Sequence, residues 1–253
     1  MSSLENKIVF VTGASSGIGE AAARQFAQRG CRLLLAARRI ERLQKLADDL
    51  KTPCHLVQLD VRDRKAVEKA FAGLPHDWQQ IDILINNAGL SRGLEKLYEG
   101  SQDDWEEMID TNVKGLLYVS RAVLPGMVQR GRGHIINIGS IAGHEVYPGG
   151  NVYCASKHAV DALTRGLLVD LADTPIRVST VDPGLVQTEF SMVRFHGDKA
   201  RAEKVYQGYK PLDPSDIAEA LVWIAERPEH VQIAELIIFP TAQGSAMVTH
   251  KKT

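Results

Sequence analysis

Ile8-Val9-Phe10-Val11-Thr12-Gly13-Ala14-Ser15-Ser16-Gly17-Ile18-Gly19 decides the fold. A short apolar run meets a glycine-rich turn, and residues 20–29 continue with Ala and Phe at helical spacing, so the stretch reads as strand, turn, helix. The first amides of a helix point outward unpaired, and glycines let a ligand approach the backbone closely. Gly13, Ser15, Ser16, Gly17, Ile18 and Gly19 are therefore candidates for cradling a pyrophosphate, the serines adding hydroxyl contacts. The spacing is G-x-x-x-G-x-G.

Outward from this unit the same alternation continues. Apolar runs at 31–37, 55–59, 81–85, 134–139, 176–181 and 234–239 read as further strands. Residues 41–50, 63–71, 105–130 and 213–226 read as helices, with Pro125-Gly126 as a possible kink in the long one. A further helix runs from the Pro148-Gly149-Gly150 break to Asp170, and residues 191–198 look irregular before a short helix near 200–206. The pattern predicts a single-domain α/β Rossmann-type fold, a seven-stranded parallel doubly wound sheet with right-handed crossovers and helices on both faces. The ligand crevice of such a sheet runs along the carboxyl ends of the strands. Residues 1–253 form one domain, its cofactor half about 1–140 and its catalytic and substrate-loop half about 140–253.

Bulk properties narrow the partners. A formal net charge of −1 gives no broad drive towards nucleic acid or an anionic membrane, so the expected ligand is small and any phosphate binding local. Cys31, Cys54 and Cys154 are odd in number, with no C-x-x-C and no His at metal spacing, which points to reduced thiols, a cytoplasmic location and no metal centre. No secretory core is visible near the N-terminus, and no stretch approaches the ~20 apolar residues that span a bilayer.

The chemistry-bearing stretch is Ser140 to Lys157. Tyr153 and Lys157 are four apart on a helix and share one face, so the ammonium can sit near the phenol and lower its pKa from ~10 towards the working pH. Such a phenol suits general acid/base work. Ser140, closing the strand at 134–139, faces the substrate oxygen from the opposite side. Cys154 turns about 100° away from Tyr153 and reads as packing. A Tyr/Lys pair at this spacing also occurs as a solvated stripe. Its meaning depends on Thr12-Gly13, Gly17-Ile18-Gly19, Asn86-Asn87-Ala88-Gly89, Asn112 and Pro183-Gly184 following in the same chain.

Together these residues resemble the short-chain dehydrogenase/reductase family, from about Lys7 onward. The resemblance implies that Asp60 and Val61 hold adenine, that Asn87, Ala88 and Gly89 border a ribose, and that Pro183, Gly184, Val186 and Thr188 contact the nicotinamide end. It places Asn112 in a locally distorted helix as part of a proton relay, makes Tyr153 the proton carrier and Lys157 its partner on the nicotinamide ribose, and implies a homotetramer built on the long helices and last strand. NAD-binding relatives carry an acid about 20 positions past the glycines, whereas an arginine accommodates a 2′-phosphate; Arg38 and Arg39 stand there, so the expected cofactor is NADP.

Leu124-Pro125-Gly126-Met127-Val128, the approach Gly149-Gly150-Asn151-Val152-Tyr153, and the run from Gly184 to Phe195 look like the NADP-dependent 3-hydroxy acid, or serine/allo-threonine, dehydrogenases of that family. The chain departs from that pattern at Gln187, where an additional glycine is usual before Thr188. The expected reaction is hydride transfer between NADP(H) and a small 3-hydroxy acid, with Ser140, Tyr153 and Arg194 on the substrate, the arginine offering two parallel donors to a carboxylate. Arg194 in a loop salt bridge, a reductase of other ketones, aldehydes or 3-oxoacyl groups, and a non-catalytic NADP sensor are the alternatives.

Overall fold

The computed structural model describes residues 4–252. β1 (Ile8–Thr12), α1 (Gly17–Gln28), β2 (Arg32–Ala37), α2 (Ile40–Asp49), β3 (Cys54–Gln58), α3 (Arg64–Ala72) and β4 (Ile83–Asn86) come first. Next are α4 (Gln102–Ile109), a π-helical segment (Asp110–Gly115) and α5 (Leu116–Arg130), which run on without interruption. β5 (Gly133–Ile138), α6 (Asn151–Asp170), β6 (Ile176–Pro183), α7 (Phe190–Arg194), α8 (Lys199–Val205), α9 (Pro214–Ala225) and β7 (Glu235–Ile238) complete the chain.

All strands pair in parallel, in the order β3-β2-β1-β4-β5-β6-β7. The chain builds outward from β1 to β3 and then returns to the other side of β1, so the order reverses between β1 and β4 and opens the crevice there. Alternation along each strand feeds two cores. Val9, Val11, Leu33, Leu35 and Ile85 pack with Phe26 of α1 and Ile217 and Leu221 of α9. Ile8, Phe10, Leu34, Leu84 and Ile135 pack with Val67 of α3 and Val119, Val123 and Met127 of α5. Each such side chain contributes about 1.5–3 kcal/mol on burial. A smaller cluster of Leu90, Met108, Ala142, Tyr153 and Cys154 lies at the crevice, with Phe190 and Val193 packed on it.

A buried polar chain fixes the layers around the crevice. Asn86 Nδ2 donates to Ser120 Oγ and to Asn137 Oδ1, both at 2.9 Å, and Asn137 Nδ2 donates to Thr164 Oγ1 at 2.9 Å. This ties β4, β5, α5 and α6 together at the level of the site, although Asn86 Oδ1 is buried without a hydrogen-bond partner among the described residues. Among the described residues no helix is long and apolar enough to cross a membrane.

Two expectations need correction. α5 runs through Pro125, and the distortion of the long helix lies at Asp110–Gly115, around Asn112, where the resemblance puts one. A Cβ at Gly115 would come within 2.6 Å of Val61 Cγ2, so the helix passes the β3 loop closely at the one residue that permits it. The region expected to be irregular from 191 contains α7, whose Phe190 and Val193 bury themselves on the Tyr153 cluster.

Candidate active site

A cavity of about 790 Å³ opens along the carboxyl ends of the strands. Its wall takes in Gly13, Ser15, Ser16, Gly17 and Ile18 after β1, Arg38 and Arg39 after β2, Asp60 and Val61 after β3, and Asn87, Ala88 and Gly89 after β4. Ser140, Tyr153 and Lys157, then Pro183, Gly184, Val186, Thr188 and Arg194, complete it. Of the residues expected at the site, Gly19 and Asn112 lie behind this wall.

The glycine turn is held from β4. Thr12 Oγ1 accepts from the amides of Asn87 and Ala88, each at 3.0 Å, while Asn87 Nδ2 donates to Thr12 O at 2.9 Å and Gly13 O at 3.2 Å. Asn87 thus acts on the turn with its side chain. Gly13 has φ +66°, and a Cβ at Gly19 would stand 2.5 Å from both Gly13 O and Asn87 Nδ2. The side chain of Ser16, the residue before α1, makes no cap to the helix, so the first amides of α1 stay open to an anion.

Cations gather at the β2 end. Arg39 donates from Nη2 to Ser15 Oγ at 3.1 Å and Ser16 Oγ at 2.9 Å, and from Nη1 to Glu189 Oε2 at 3.1 Å. Arg42 reaches the same carboxylate at 2.8 Å, and Arg38 lies 3.7 Å from Glu107. The Asp60 carboxylate is chelated by Arg62, with Nη2 to Oδ2 at 2.6 Å. Burial alone would raise Asp60, but the Arg62 hydrogen bonds and charge outweigh it and hold the carboxyl below its ordinary value. Asp60 therefore faces the cavity as an occupied anion.

The catalytic candidates converge where α6 passes β5. Tyr153 is buried, with the Ser140 hydroxyl near enough to act on its phenol, and Ser140 Oγ accepts from Ala142 N at 3.1 Å. Lys157 Nζ donates to Ile138 O at 2.8 Å and sits 6.0 Å from the Tyr153 ring centre. Asn112 Nδ2 donates to Leu90 O at 2.8 Å and Ser156 Oγ at 3.0 Å, and its Oδ1 accepts from Leu90 N at 2.9 Å. Its side chain joins the π segment to the β4 loop and α6. A Cβ at Gly89 would lie 3.2 Å from Asn112 Oδ1 and 3.7 Å from Lys157 Nζ, so the three meet.

The expected lowering of the Tyr153 pKa by Lys157 is not what this arrangement produces. Burial pushes the phenol up, with the Tyr147 phenol adding to it, while the Arg194 charge and the Ser140 hydrogen bond act downward. Burial likewise pushes Lys157 down, to about 8. Desolvation disfavours both charged forms more strongly than the helical spacing brings the ammonium to the hydroxyl.

Arg194, at the end of α7, stands over the same phenol. Its Cζ is 5.2 Å from the Tyr153 ring centre and 5.3 Å from that of Phe190. Nη2 donates to Tyr147 Oη at 2.6 Å and Nε to Ser91 Oγ at 3.0 Å. Among the described residues these partners are neutral and no carboxylate forms a salt bridge with it. Sequence reasoning missed Tyr147, Ser91, Arg42 and Glu189; only the pairing of like-spaced basic residues in Arg38, Arg39 and Arg42 left any trace of them. Cys154 is buried, as packing requires.

A parallel sheet with its switch point at a glycine turn, a helix N-terminus open to anions and a buried Tyr beside a Lys define a nucleotide-dependent oxidoreductase. The short chain dehydrogenase family model matches residues 7–199. The NADP-dependent 3-hydroxy acid dehydrogenase YdfG of Escherichia coli (strain K12) is 52% identical over 240 residues, covering 94% of this chain and 97% of that one. The NADP-dependent 3-hydroxy acid dehydrogenase of Schizosaccharomyces pombe is 44% identical over 257 residues, covering 100% and 99%. A solved structure described as the closed form of serine dehydrogenase complexed with NADP+ superposes with a TM-score of 0.93 at 50% identity, covering 97% of this chain and 100% of that one. The chain belongs to the short-chain dehydrogenase family.

Proposed function

We propose that this protein is an NADP-dependent dehydrogenase of small 3-hydroxy acids of the serine, allo-threonine, 3-hydroxypropionate or 3-hydroxyisobutyrate kind. The observation that carries the reading is Arg194, a guanidinium on neutral partners 5.2 Å from the Tyr153 ring centre. A carboxylate bound there places a carbinol a short carbon chain away beside the phenol. Relatives named for 3-hydroxy acids at 52% and 44% identity support the same substrate class.

The groove fits NADP. A side chain at Gly13 or Gly19 would fill the cradle, the open amides of α1 suit a pyrophosphate, and Arg38, Arg39 and Arg42 suit the 2′-phosphate. When bound, NADP supplies the hydride acceptor, or the donor in the reverse direction. Tyr153, a neutral phenol, passes its own proton to the relay behind it, to which Lys157 and Asn112 belong, as it accepts the substrate hydroxyl proton, and Ser140 hydrogen-bonds the same oxygen. Asp60, Val61, Asn87, Ala88 and Gly89 border the adenosine and ribose, and Pro183, Gly184, Val186 and Thr188 the nicotinamide end.

We also infer a homotetramer in a cytoplasmic setting. Leu117 and Val128 on α5, Val169 on α6 and Ile237 on β7 are exposed, and the thiols of Cys31, Cys54 and Cys154 are free. Light scattering that gives the mass of one 27.8 kDa chain removes the tetramer.

Steady-state assays of the four acids with NADP+ test the function, and no turnover of any defeats it. Tyr153→Phe is expected to lower kcat by at least about 100-fold while NADP+ still binds.

A further inference from the structure

Behind the catalytic wall lies a carboxylate that this mechanism does not use. Asp182, on β6, is 2% exposed, and a buried charge must be paired and hydrogen-bonded. Thr180 Oγ1 donates to its Oδ1 at 2.8 Å, and His144 Nε2 lies 3.1 Å from Oδ2. His144 closes the turn Ile141–Gly143 that begins at Ser140. On the other side, the Asp182 carboxylate lies on the backbone of Gly139, where any Cβ would collide with Oδ1. The carbonyl just before Gly139 is Ile138 O, which holds Lys157 Nζ at 2.8 Å, and the residue just after is Ser140.

We propose that Asp182, clamped between Thr180 and His144, is the buried counter-charge that keeps Lys157 an ammonium and holds the Ser140 turn in place. It is a positioning residue, and the proposal rests on the reading of Ser140, Tyr153 and Lys157 as the proton-handling group. The charged groups around Asp182 are His144 from the turn after β5, Glu235 from β7, and Lys157 and Arg165 from α6. Burial drives Lys157 towards neutrality, and the Asp182 charge opposes it; burial also pushes the Asp182 carboxyl up, against which the Thr180 and His144 hydrogen bonds act. Ligand-type atoms of His144, Asp182 and Glu235 come within 4.8 Å of one another, but they are already engaged. Glu235 takes Arg165 at 3.1 Å and His144 takes Asp182, while Lys157 Nζ reaches this side through Ile138 O, the carbonyl beside Gly139.

Asp182→Asn in the full-length protein tests this with two readouts. The first needs no substrate: the pH dependence of Lys157 acylation by acetic anhydride, followed by peptide mass spectrometry. Its midpoint is expected to fall by about one pH unit, the effect of removing a close opposite charge. The second is the alkaline limb of kcat/KM for serine with NADP+, which is expected to move to lower pH by the same amount. His144→Gln keeps the carboxylate and a donor to it, so the acylation midpoint is expected to stay in place. Where Asp182→Asn fails to fold, Asp182→Ser serves the same comparison. An unmoved midpoint in a folded, uncharged variant overturns the proposal, as does a His144→Gln shift as large as that of Asp182→Asn. A shifted midpoint in a protein that oxidises none of the acids leaves the counter-charge standing and removes the substrate reading instead.

Discussion

Arg39 donates to the Glu189 carboxylate at 3.1 Å, joining the rim at the β2 end of the cavity to the residue from which α7 starts. Arg42 reinforces the bond at 2.8 Å. Burial alone would raise Glu189, but the Arg42 and Arg39 hydrogen bonds hold it below the usual carboxylate range, so it stays ionised. These groups are half exposed, and pairs of this kind contribute about 0.2–1 kcal/mol. In Glu189→Gln the arginines are released for a 2′-phosphate, and α7, with Arg194 at its far end, loses its tether. The NADP+ dissociation constant is expected to fall about two- to fivefold and the KM for the hydroxy acid to rise by a similar factor. Fluorescence titration and steady-state kinetics check the two halves separately.

Arg38 and Arg39 differ in commitment. Arg39 is positioned by Ser15 and Ser16, whereas Arg38 lies 3.7 Å from Glu107, a carboxylate already held by Arg92 at 2.7 Å, and its charge also acts on Asp60. A charge-assisted hydrogen bond contributes about 1.5–3 kcal/mol, so the double variant Arg38→Ala/Arg39→Ala is expected to lower the NADP+/NAD+ ratio of kcat/KM by about 10- to 100-fold. An unaltered ratio moves 2′-phosphate recognition to Arg42.

The sequence makes the central strands legible because both of their faces are buried, so Ile8, Val9, Phe10 and Val11 form an unbroken apolar run. Helix starts are less legible. α1 begins at Gly17, inside the turn, and α4 begins at Gln102 behind the Ser101 cap, in an acidic first turn with no apolar residue to mark it before Trp105. The π segment has no period of its own, and α7 is too short to show one. In the site, residues that follow a strand are found because strand ends are regular. Ser91, Tyr147 and Glu189 are found only in the fold, since the Arg194–Ser91 bond spans 103 positions and no local pattern encodes it. Asp182 stands in plain view beside Pro183, yet only the packing of β6 on Gly139 gives it a task. The Tyr153/Lys157 spacing puts the two side chains on one helix face, but burial, which spacing does not report, decides their protonation.

Lys157 carries a stability consequence. Its folded pKa, about 8, lies below its ordinary value of 10.5. Between those limits the unfolded chain binds more protons than the native one, so stability gained through this group rises with pH across that window and is absent below it. Lys157→Met removes the desolvation cost of the ammonium while losing one hydrogen bond to Ile138 O. Its Tm at pH 7 is expected to exceed that of the parent by on the order of 5 °C, with activity abolished. The difference is expected to shrink towards pH 10. Calorimetry across that range checks it, and a gap that widens with pH contradicts the sign.

Arg194 separates substrate binding from proton handling. Its Nη2–Tyr147 and Nε–Ser91 bonds are made to neutral oxygens, so among the described residues no carboxylate is paired with the guanidinium beside the phenol. In Arg194→Ala that charge is lost, the KM of a carboxylate substrate is expected to rise by about 10- to 100-fold, and an uncharged alcohol of the same length is expected to be affected far less. Arg194→Lys restores the charge without the fork and is expected to recover only part of the loss. Removing the cation also removes a downward influence on the Tyr153 pKa, so the alkaline rise of kcat in Arg194→Ala is expected at higher pH than in the parent. A raised KM with an unmoved pH profile assigns Arg194 to the carboxylate alone; a moved profile with KM unchanged assigns it to the phenol and removes the 3-hydroxy acid reading.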